Sequence, residues 1–288
     1  MPTTMTNQAK LRFSYGSSVG TASSNIASTV IQGPLSASKS VLEAGYRADG
    51  ALTYMLHLQN SGAAALAPVT VTDDLGKYAV SPALSVTPLT YVGPTRLYVN
   101  GAYVMSLTPS VTADAVTFTV PSLAAGANAM LVYNARVNEY AMPTPTSEIV
   151  NTAVIDAPGL TDAVTVTDAI PAADSADVSI TKTMSPNPVT DGALLTSTFL
   201  LQNFGNTDAS NVVLTDTFSP APAPIAVTVN GVTLADTEYD YVGGLLTLPG
   251  AAATYALTVP AAAFPRDPAT GEVSVNPGAV TIVVTGTI

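Results

Sequence analysis

Two stretches of the sequence match each other without a gap, and this match decides the fold. Residues 34–76 read PLSASKSVLEAGYRADGALTYMLHLQNSGAAALAPVTVTDDLG, and residues 176–218 read ADVSITKTMSPNPVTDGALLTSTFLLQNFGNTDASNVVLTDTF. Each copy carries a lysine, an asparagine and an aspartate, and the spacings between the three are identical in the two copies. These residues are Lys39, Asn60 and Asp73 in the first copy, and Lys182, Asn203 and Asp216 in the second. Such self-similarity indicates tandem repeats of one structural unit.

Short runs rich in Val, Thr, Ile and Tyr, broken by 22 prolines and 20 glycines, predict strands rather than helices. Asn100-Gly101 and Asn230-Gly231 each predict a tight hairpin at a similar place in the two copies. We therefore predict an all-β protein of two tandem antiparallel β-sandwiches of the Ig-like or Greek-key kind. Domain 1 spans residues 34–175, domain 2 spans 176–288, and an N-terminal extension spans 1–33.

The period of two along each predicted strand places the repeated lysine and aspartate on the apolar face. Asp73 shares a face with Val69 and Val71, and Asp216 shares one with Val212 and Leu214. Lys39 shares a face with Leu35, Ala37 and Val41, and Lys182 shares one with Val178, Ile180 and Met184. Each copy is thus expected to direct one lysine and one aspartate inward.

Domain 1 ends on EIVNTAVIDAPGLTDAVTVTDAI, residues 148–170, which predicts a closing strand. The last residues of domain 2, 278–288, match residues 126–136 when Gly278 is set against Gly126, so a closing segment is expected to be missing from domain 2. The matching segment lies at the N-terminus, where Asn7 precedes Lys39 at nearly the spacing by which Asn151 precedes Lys182. A rival alignment makes residues 273–284 the closing strand, with Asn276 in place of Asn7.

The N-terminal extension reads as an amphipathic donor strand. One predicted face carries Asn7 followed by the apolar residues Ala9, Leu11, Phe13 and Tyr15. The other face carries Lys10, Arg12 and Ser14. A sandwich without one strand exposes unpaired backbone groups beside an apolar groove, which a strand from another copy can fill. A head-to-tail contact of this kind propagates into a filament unless it closes into a ring. The alternative is that residues 7–30 fold back onto their own domain 2 or form an extra edge strand.

The ITKT, VTD, QN-x-G, AAGANA and NTAVI elements resemble the bacterial and archaeal surface-repeat family catalogued as domain of unknown function eleven. This resemblance implies a structural role at the cell surface without enzyme activity. Related collagen-adhesin-type stalk domains carry an isopeptide bond between Lys and Asn, formed with the help of a buried acid. The resemblance thus implies Lys39 as nucleophile, Asp73 as acid and Asn151 as acceptor. Its counterpart would join Lys182 and Asp216 to Asn7 of a neighbouring copy. The alternative is an ordinary salt bridge, with Asn151 capping a turn.

The composition of the chain excludes most other functional classes. The net charge of -11 argues against binding to nucleic acid or an anionic membrane. One histidine and no cysteine exclude disulfides, thiol catalysis and Cys/His zinc sites, so no metal, cofactor or enzyme activity is expected. No apolar run is long enough to span a bilayer, and no signal peptide is visible.

We therefore predict a self-assembling subunit of an extracellular filament on a cell or spore surface, whose partner is another copy of itself. The alternative function is a monomeric adhesin or a carbohydrate-binding stalk module. The absence of Trp and the aromatic content of 6% favour the filament, because sugar binding relies on stacking against aromatic rings.

Overall fold

The computed structural model describes residues 3–31 and 33–288 and confirms the all-β prediction. Strands make up 57% of the chain, and the described residues contain one short 3-10 helix, Asp236–Glu238. No helix in this part of the protein is long and apolar enough to cross a membrane.

The N-terminal extension forms a hairpin instead of the single strand that the sequence predicted. Its outer ladder pairs β1 with β4, and its inner ladder pairs β2 with β3. The strands are β1 (Thr3–Asn7), β2 (Lys10–Tyr15), β3 (Ser18–Ser23) and β4 (Ala27–Ile31). None of these four strands pairs with a strand elsewhere in the described chain, so the expected alternative of an extra edge strand on domain 2 is wrong.

Domain 1 contains two five-stranded antiparallel sheets and a small hairpin. Sheet order β11-β10-β14-β6-β5 is formed by β5 (Leu35–Val41), β6 (Ala51–Asn60), β10 (Leu89–Val99), β11 (Ala102–Leu107) and β14 (Asn128–Val137). Sheet order β12-β13-β7-β15-β16 is formed by β7 (Val69–Asp73), β12 (Ser110–Val111), β13 (Val116–Val120), β15 (Glu148–Asp156) and β16 (Val164–Pro171). The hairpin pairs β8 (Tyr78–Ser81) with β9 (Leu84–Val86).

The core of domain 1 follows from strict alternation along the central strands. In β6, Leu52, Tyr54, Leu56 and Leu58 are buried, while the residues between them are more exposed. Val69 and Val71 of the facing sheet belong to the same buried cluster. Each fully buried aliphatic side chain stabilises the fold by about 1.5–3 kcal/mol, so the two sheets are held together mainly by this inner layer.

Domain 2 repeats the first sheet of domain 1 but not the second. Sheet order β17-β18-β26-β21-β22 is formed by β17 (Val178–Ser185), β18 (Leu194–Asn203), β21 (Ile225–Val229), β22 (Val232–Thr233) and β26 (Gly278–Thr287). Facing it are the order β20-β24-β23, with β20 (Leu214–Thr217), β23 (Asp240–Val242) and β24 (Leu245–Leu248), and the pair β19 (Ala209–Val212) and β25 (Leu257–Val259).

Strand register decides between the two alignments of the repeats. In domain 1, β14 pairs with β6 so that Asn128 lies opposite Gln59, and in domain 2 β26 pairs with β18 so that Ala279 lies opposite Gln202. Strand β26 is therefore the counterpart of β14, within one residue of the predicted alignment. The rival alignment is wrong, because Asn276 forms only an isolated bridge with Ala263 and does not belong to a closing strand.

The predicted Asn-Gly hairpins are confirmed by backbone geometry, and hydrogen bonds explain the QN-x-G turn. Asn100-Gly101 and Asn230-Gly231 connect hairpin strands with positive φ at all four residues, as the tight turn requires. In the QN-x-G turn, the Asn60 amide donates to the Ala64 carbonyl at 2.8 Å, and its Oδ1 accepts from the amide of Gly62 at 3.0 Å. A Cβ on Gly62 would lie 2.7 Å from the Pro34 Cβ, which explains the glycine.

Polar contacts tie the two sandwiches together. The Asn206 amide of domain 2 donates to the carbonyls of Pro143 at 2.6 Å and Ala173 at 3.0 Å, and its Oδ1 accepts from the amide of Ser175 at 2.7 Å. The Arg266 guanidinium lies 5.3 Å from the ring centroid of Tyr78 in domain 1. The joint between the two sandwiches is therefore built from specific polar and cation-π contacts.

Candidate functional site

The repeated lysine and aspartate of domain 1 form a fully buried ion pair between the two sheets. Lys39 Nζ on β5 donates to Asp73 Oδ2 at 2.6 Å, and both side chains are 0% exposed. The Tyr133 hydroxyl donates to the same carboxylate oxygen, and Oδ1 accepts from the amide of Leu75 at 2.9 Å. These hydrogen bonds offset part of the several kcal/mol per ion that desolvation costs.

Asn151 enters the same buried cluster from the neighbouring strand β15. Strand β15 pairs with β7 so that Ala153 lies opposite Asp73, and Asn151, two residues earlier, points to the same inner face. Asn151 is fully buried, and its Oδ1 accepts from the amide of Gly76 at 3.2 Å. Its Nδ2 has no hydrogen-bond partner among the described residues. An unpaired buried amide costs about 1–3 kcal/mol, so this group needs a physical explanation.

Two tyrosines that the sequence did not single out complete the cluster. Tyr54 and Tyr133 stack with ring centroids 5.5 Å apart, and Lys39 Nζ lies 5.0 Å from the Tyr54 ring centroid. The Tyr133 hydroxyl donates to Asp73, and the Tyr54 hydroxyl has no hydrogen-bond partner in the described structure. The repeat comparison could not reveal them, because register places Ser197 and Val284 at these positions in domain 2.

Burial sets the protonation tendencies of the cluster. Desolvation lowers the pKa of the Lys39 amine, and the nearby Asp73 carboxylate opposes this shift. Desolvation also raises the pKa of the Tyr133 hydroxyl well above its usual value, and Asp73 adds to that shift. A lowered lysine pKa increases the fraction of neutral amine, the form that can act as a nucleophile.

Domain 2 contains the same ion pair in an open setting. Lys182 Nζ donates to Asp216 Oδ2 at 2.6 Å, but the two side chains are 32% and 16% exposed. Two aromatic rings lie beside the amine: Lys182 Nζ is 4.9 Å from the Phe218 ring centroid and 5.2 Å from that of Phe199. The repeat thus keeps the charges at the same spacing and leaves them accessible to solvent.

The opening beside Lys182 is the place that β15 fills in domain 1. Strand β7 lies between β13 and β15, whereas β20 pairs with β24 alone among the described strands. Asp73 lies opposite Val116 of β13, and Asp216 lies opposite Leu246 of β24. The free side of β20 therefore corresponds to the side of β7 that β15 covers. Its backbone N-H and C=O groups face outward without a ladder partner.

The second strand of the closing segment also lacks a counterpart in domain 2. In domain 1, β16 lies beside β5, and Asp168 Oδ2 of β16 accepts from the amide of Val41 at 2.6 Å. Leu35 and Lys39 of β5 are consequently buried. All residues of β17, the counterpart of β5, are exposed, including Val178, Ile180 and Met184. Domain 2 thus exposes an apolar strand where domain 1 has a covered one.

The structure places the predicted donor residues at the surface. Asn7 lies at the end of β1 opposite Ala27, and Ala9 lies in the break between β1 and β2. Leu11, Phe13 and Tyr15 share one face of β2 and are 61%, 46% and 62% exposed. Within this molecule, the strand that carries Asn7 pairs with β4 and not with β20. Residues 3–31 and 33–288 contain no group of three or more metal-ligating side chains.

Comparison with known proteins shows likeness of fold at low identity. BcpA, the major pilin subunit of Bacillus cereus, is similar with 12% identity and a TM-score of 0.38, over 89% of this chain and 75% of that one. The collagen-binding domain of a Staphylococcus aureus adhesin is similar with 9% identity and a TM-score of 0.31, over 50% of this chain and 99% of that one. AvmM, which catalyses macrocyclization in alchivemycin A biosynthesis, gives 10% identity and a TM-score of 0.31, over 51% and 93%.

Such distant likeness carries no argument about function, and a pilin, an adhesin and an enzyme share it. No family model matches the sequence, and no curated protein matches it. The resemblance to domain of unknown function eleven therefore stays a prediction.

Removing the carboxylate should affect the two copies of the ion pair unequally. In the Asn151→Ala background, where Lys39 cannot react with Asn151, we expect Asp73→Ala to lower the free energy of unfolding of the soluble subunit by about 3–5 kcal/mol, because it leaves the Lys39 amine buried without a partner. The matched variant Asp216→Ala should cost about 1 kcal/mol or less, because solvent reaches Lys182. Urea denaturation followed by circular dichroism measures both, and equal losses would contradict the difference in burial.

Proposed function

We propose that this protein is the structural subunit of an extracellular filament on a cell or spore surface. Each copy inserts its N-terminal extension beside β20 of the next copy, and the filament grows head to tail. The observation that carries this proposal is the unpaired side of β20, which lies where β15 completes domain 1. A contact between different surfaces of identical subunits propagates without limit when it does not close into a ring.

The sequence of the extension favours this occupant over an unrelated strand. The stretch from Asn7 to Lys39 is only one residue longer than the stretch from Asn151 to Lys182. If Asn7 takes the place of Asn151, the donor strand pairs with β20 in the register that β15 has on β7. Ala9 then lies opposite Asp216, and Leu11 lies opposite Leu214. The donor places a small residue against the carboxylate and a large one against the core.

Exposed apolar surface on both partners supports the contact. The extension exposes Leu11, Phe13 and Tyr15 on one face, and domain 2 exposes Ile180 and Met184 beside its open edge. Both surfaces are exposed to solvent in the free subunit. Burying apolar surface contributes about 25 cal/mol per Å², so joining them favours association together with new backbone hydrogen bonds.

The charge distribution supports it independently. Residues 1–33 contain Lys10 and Arg12 and no acidic residue, so all 20 acidic residues belong to the rest of the chain. The donor segment is therefore basic and the acceptor body strongly acidic. Opposite charges speed the encounter of two copies, with a range limited to about 8 Å at physiological ionic strength.

The buried cluster of domain 1 supports a covalent lock in the same proposal. In domain 1, the neutral Lys39 Nζ would attack Cγ of Asn151 while protonated Asp73 donates to the amide oxygen. The new Nζ–Cγ bond forms, the Cγ–Nδ2 bond breaks, and Nδ2 leaves as ammonia with a proton from the lysine amine. The reaction would remove both the buried charge of Lys39 and the unpaired Nδ2 of Asn151. In domain 2, Lys182 and Asp216 would act on Asn7 of the neighbouring copy.

Filament growth should depend on the apolar face of the donor. We expect Leu11→Glu to abolish filaments, because it buries a charge against the core of domain 2, and deletion of residues 1–33 should do the same. The matched variant Ser14→Glu, on the opposite face of β2, should still polymerise. Negative-stain microscopy and sedimentation measure the outcome. Normal filaments from Leu11→Glu would refute the contact, and a wild-type chain that stays monomeric would favour the adhesin alternative.

The covalent lock predicts a mass change and a heat-stable polymer. The intact mass of the denatured soluble subunit should fall short of the sequence mass by one ammonia, and Asn151→Ala should abolish this deficit. Boiled wild-type filaments should give a ladder on a denaturing gel, because Lys182 binds Asn7 of the next copy covalently.

The control for the ladder is Asn7→Ala, whose filaments should still form but dissociate to monomers on boiling. A full sequence mass would remove Lys39 and Asn151 from the proposal. A wild-type ladder that collapses to monomers would remove the bond between copies, while leaving strand insertion intact.

A further inference from the structure

We infer that the occupant of the open edge is the whole N-terminal hairpin. Its first arm, β1 and β2, would take the place of β15 beside β20, while its second arm, β3 and β4, would cover β17. This inference rests on the proposed function and specifies its partner surface. One insertion would then replace both β15 and β16, whereas a single donor strand would replace only β15.

Domain 1 shows why two strands are needed. Strand β16 pairs with β15 from Glu148 opposite Pro171 to Ile155 opposite Val164, so β15 is itself covered on its outer side. The amide of Tyr46, just after β5, donates to the Pro171 carbonyl at 2.9 Å, which holds β16 beside the first sheet. A lone strand on β20 would leave all of β17 exposed and would itself become a new unpaired edge.

The hairpin is already built in the free subunit. Its inner ladder runs from Lys10 opposite Ser23 to Tyr15 opposite Ser18, and Gly16 closes the turn with a φ of 59°. The second arm follows through β4, which pairs with β1. If the two arms separated, the backbone hydrogen bonds of both ladders would be lost. Insertion of the whole hairpin keeps these hydrogen bonds and adds new ones to β20.

The hairpin pairs Asn7 with a second strand, as the closing segment of domain 1 pairs Asn151, although the connection between the paired residues is three residues longer in the extension. In domain 1, Asn151 lies opposite Asp168 and Ile149 lies opposite Ile170. In the extension, Asn7 lies opposite Ala27 and Met5 lies opposite Thr29. The first arm thus presents Met5 and Asn7 where β15 presents Ile149 and Asn151.

Side-chain sizes differ in a complementary way. The second arm is smaller than β16, because Ala27 and Thr29 stand in the places of Asp168 and Ile170. Strand β17 is bulkier than β5, because Ile180 and Met184 replace Ala37 and Val41 at matching distances from the lysine. Small residues on one surface therefore meet large ones on the other.

Cysteine cross-links between copies test each arm separately, since the chain has no native cysteine. Lys10→Cys mixed with Thr215→Cys reports on the first arm, because their counterparts Val154 and Thr72 lie opposite each other in domain 1. Ala27→Cys mixed with Met184→Cys reports on the second arm, because Asp168 contacts Val41. The control mixes Ala27→Cys with Val104→Cys on β11, at the edge of the first sheet opposite to β5.

We expect disulfide-linked dimers from both mixtures under oxidation and none from the control. A link at the first arm alone would overturn the hairpin inference and leave filament formation by strand insertion standing. Growing filaments without either link would overturn both. A link within one isolated chain carrying both substitutions would show that the hairpin folds back in solution, and would also overturn the inference.

A locked hairpin gives a second test that does not depend on contacts between copies. Arg12 lies opposite Thr21, so Arg12→Cys with Thr21→Cys joins the two arms by a disulfide. We expect oxidised and reduced subunits of this variant to form filaments at the same rate. Growth only after reduction would mean that the arms must separate, and the hairpin inference would be wrong.

Discussion

One unpaired strand edge governs the behaviour that we assign to this protein. Strand β20 carries backbone donors and acceptors on a side where β7, its counterpart, has a full ladder to β15. Proteins usually cover, twist or charge such an edge, because it binds any compatible strand. Here the edge lies beside exposed apolar residues of β17, so it is suited to a specific partner rather than protected from all partners.

The two repeats place the same chemistry in different surroundings. Lys39 and Asp73 lie at 0% exposure in a complete sandwich, and Lys182 and Asp216 keep the same 2.6 Å contact in an open one. Domain 1 thus shows the arrangement that domain 2 would have with strands in the places of β15 and β16. Ser197 and Val284 occupy the positions of Tyr54 and Tyr133, so the second cluster lacks the tyrosine walls of the first. On our proposal, a neighbouring copy supplies the strand that corresponds to β15 beside β20.

Much of this fold could be predicted from the sequence, because the repeats constrain one another. The spacing from Lys39 to Asp73 recurs at Lys182 and Asp216, and the Asn-Gly turns fix two hairpins by their positive φ. The partner of the N-terminal strand was missed because SVGTAS, residues 18–23, has one large apolar residue and therefore little alternation. Tyr54 and Tyr133 were missed because their role depends on contact across strands, which spacing along one strand does not encode.

The most direct test of the central claim is amide hydrogen exchange at β17 and β20, compared between assembled filaments and soluble subunits that lack residues 1–33. If another copy completes domain 2, the amides on the free side of β20 should exchange much more slowly in the filament, while amides in the core of domain 1 should be unchanged. Equally fast exchange of β20 in both states would contradict the account, because it would mean that the edge stays open after assembly.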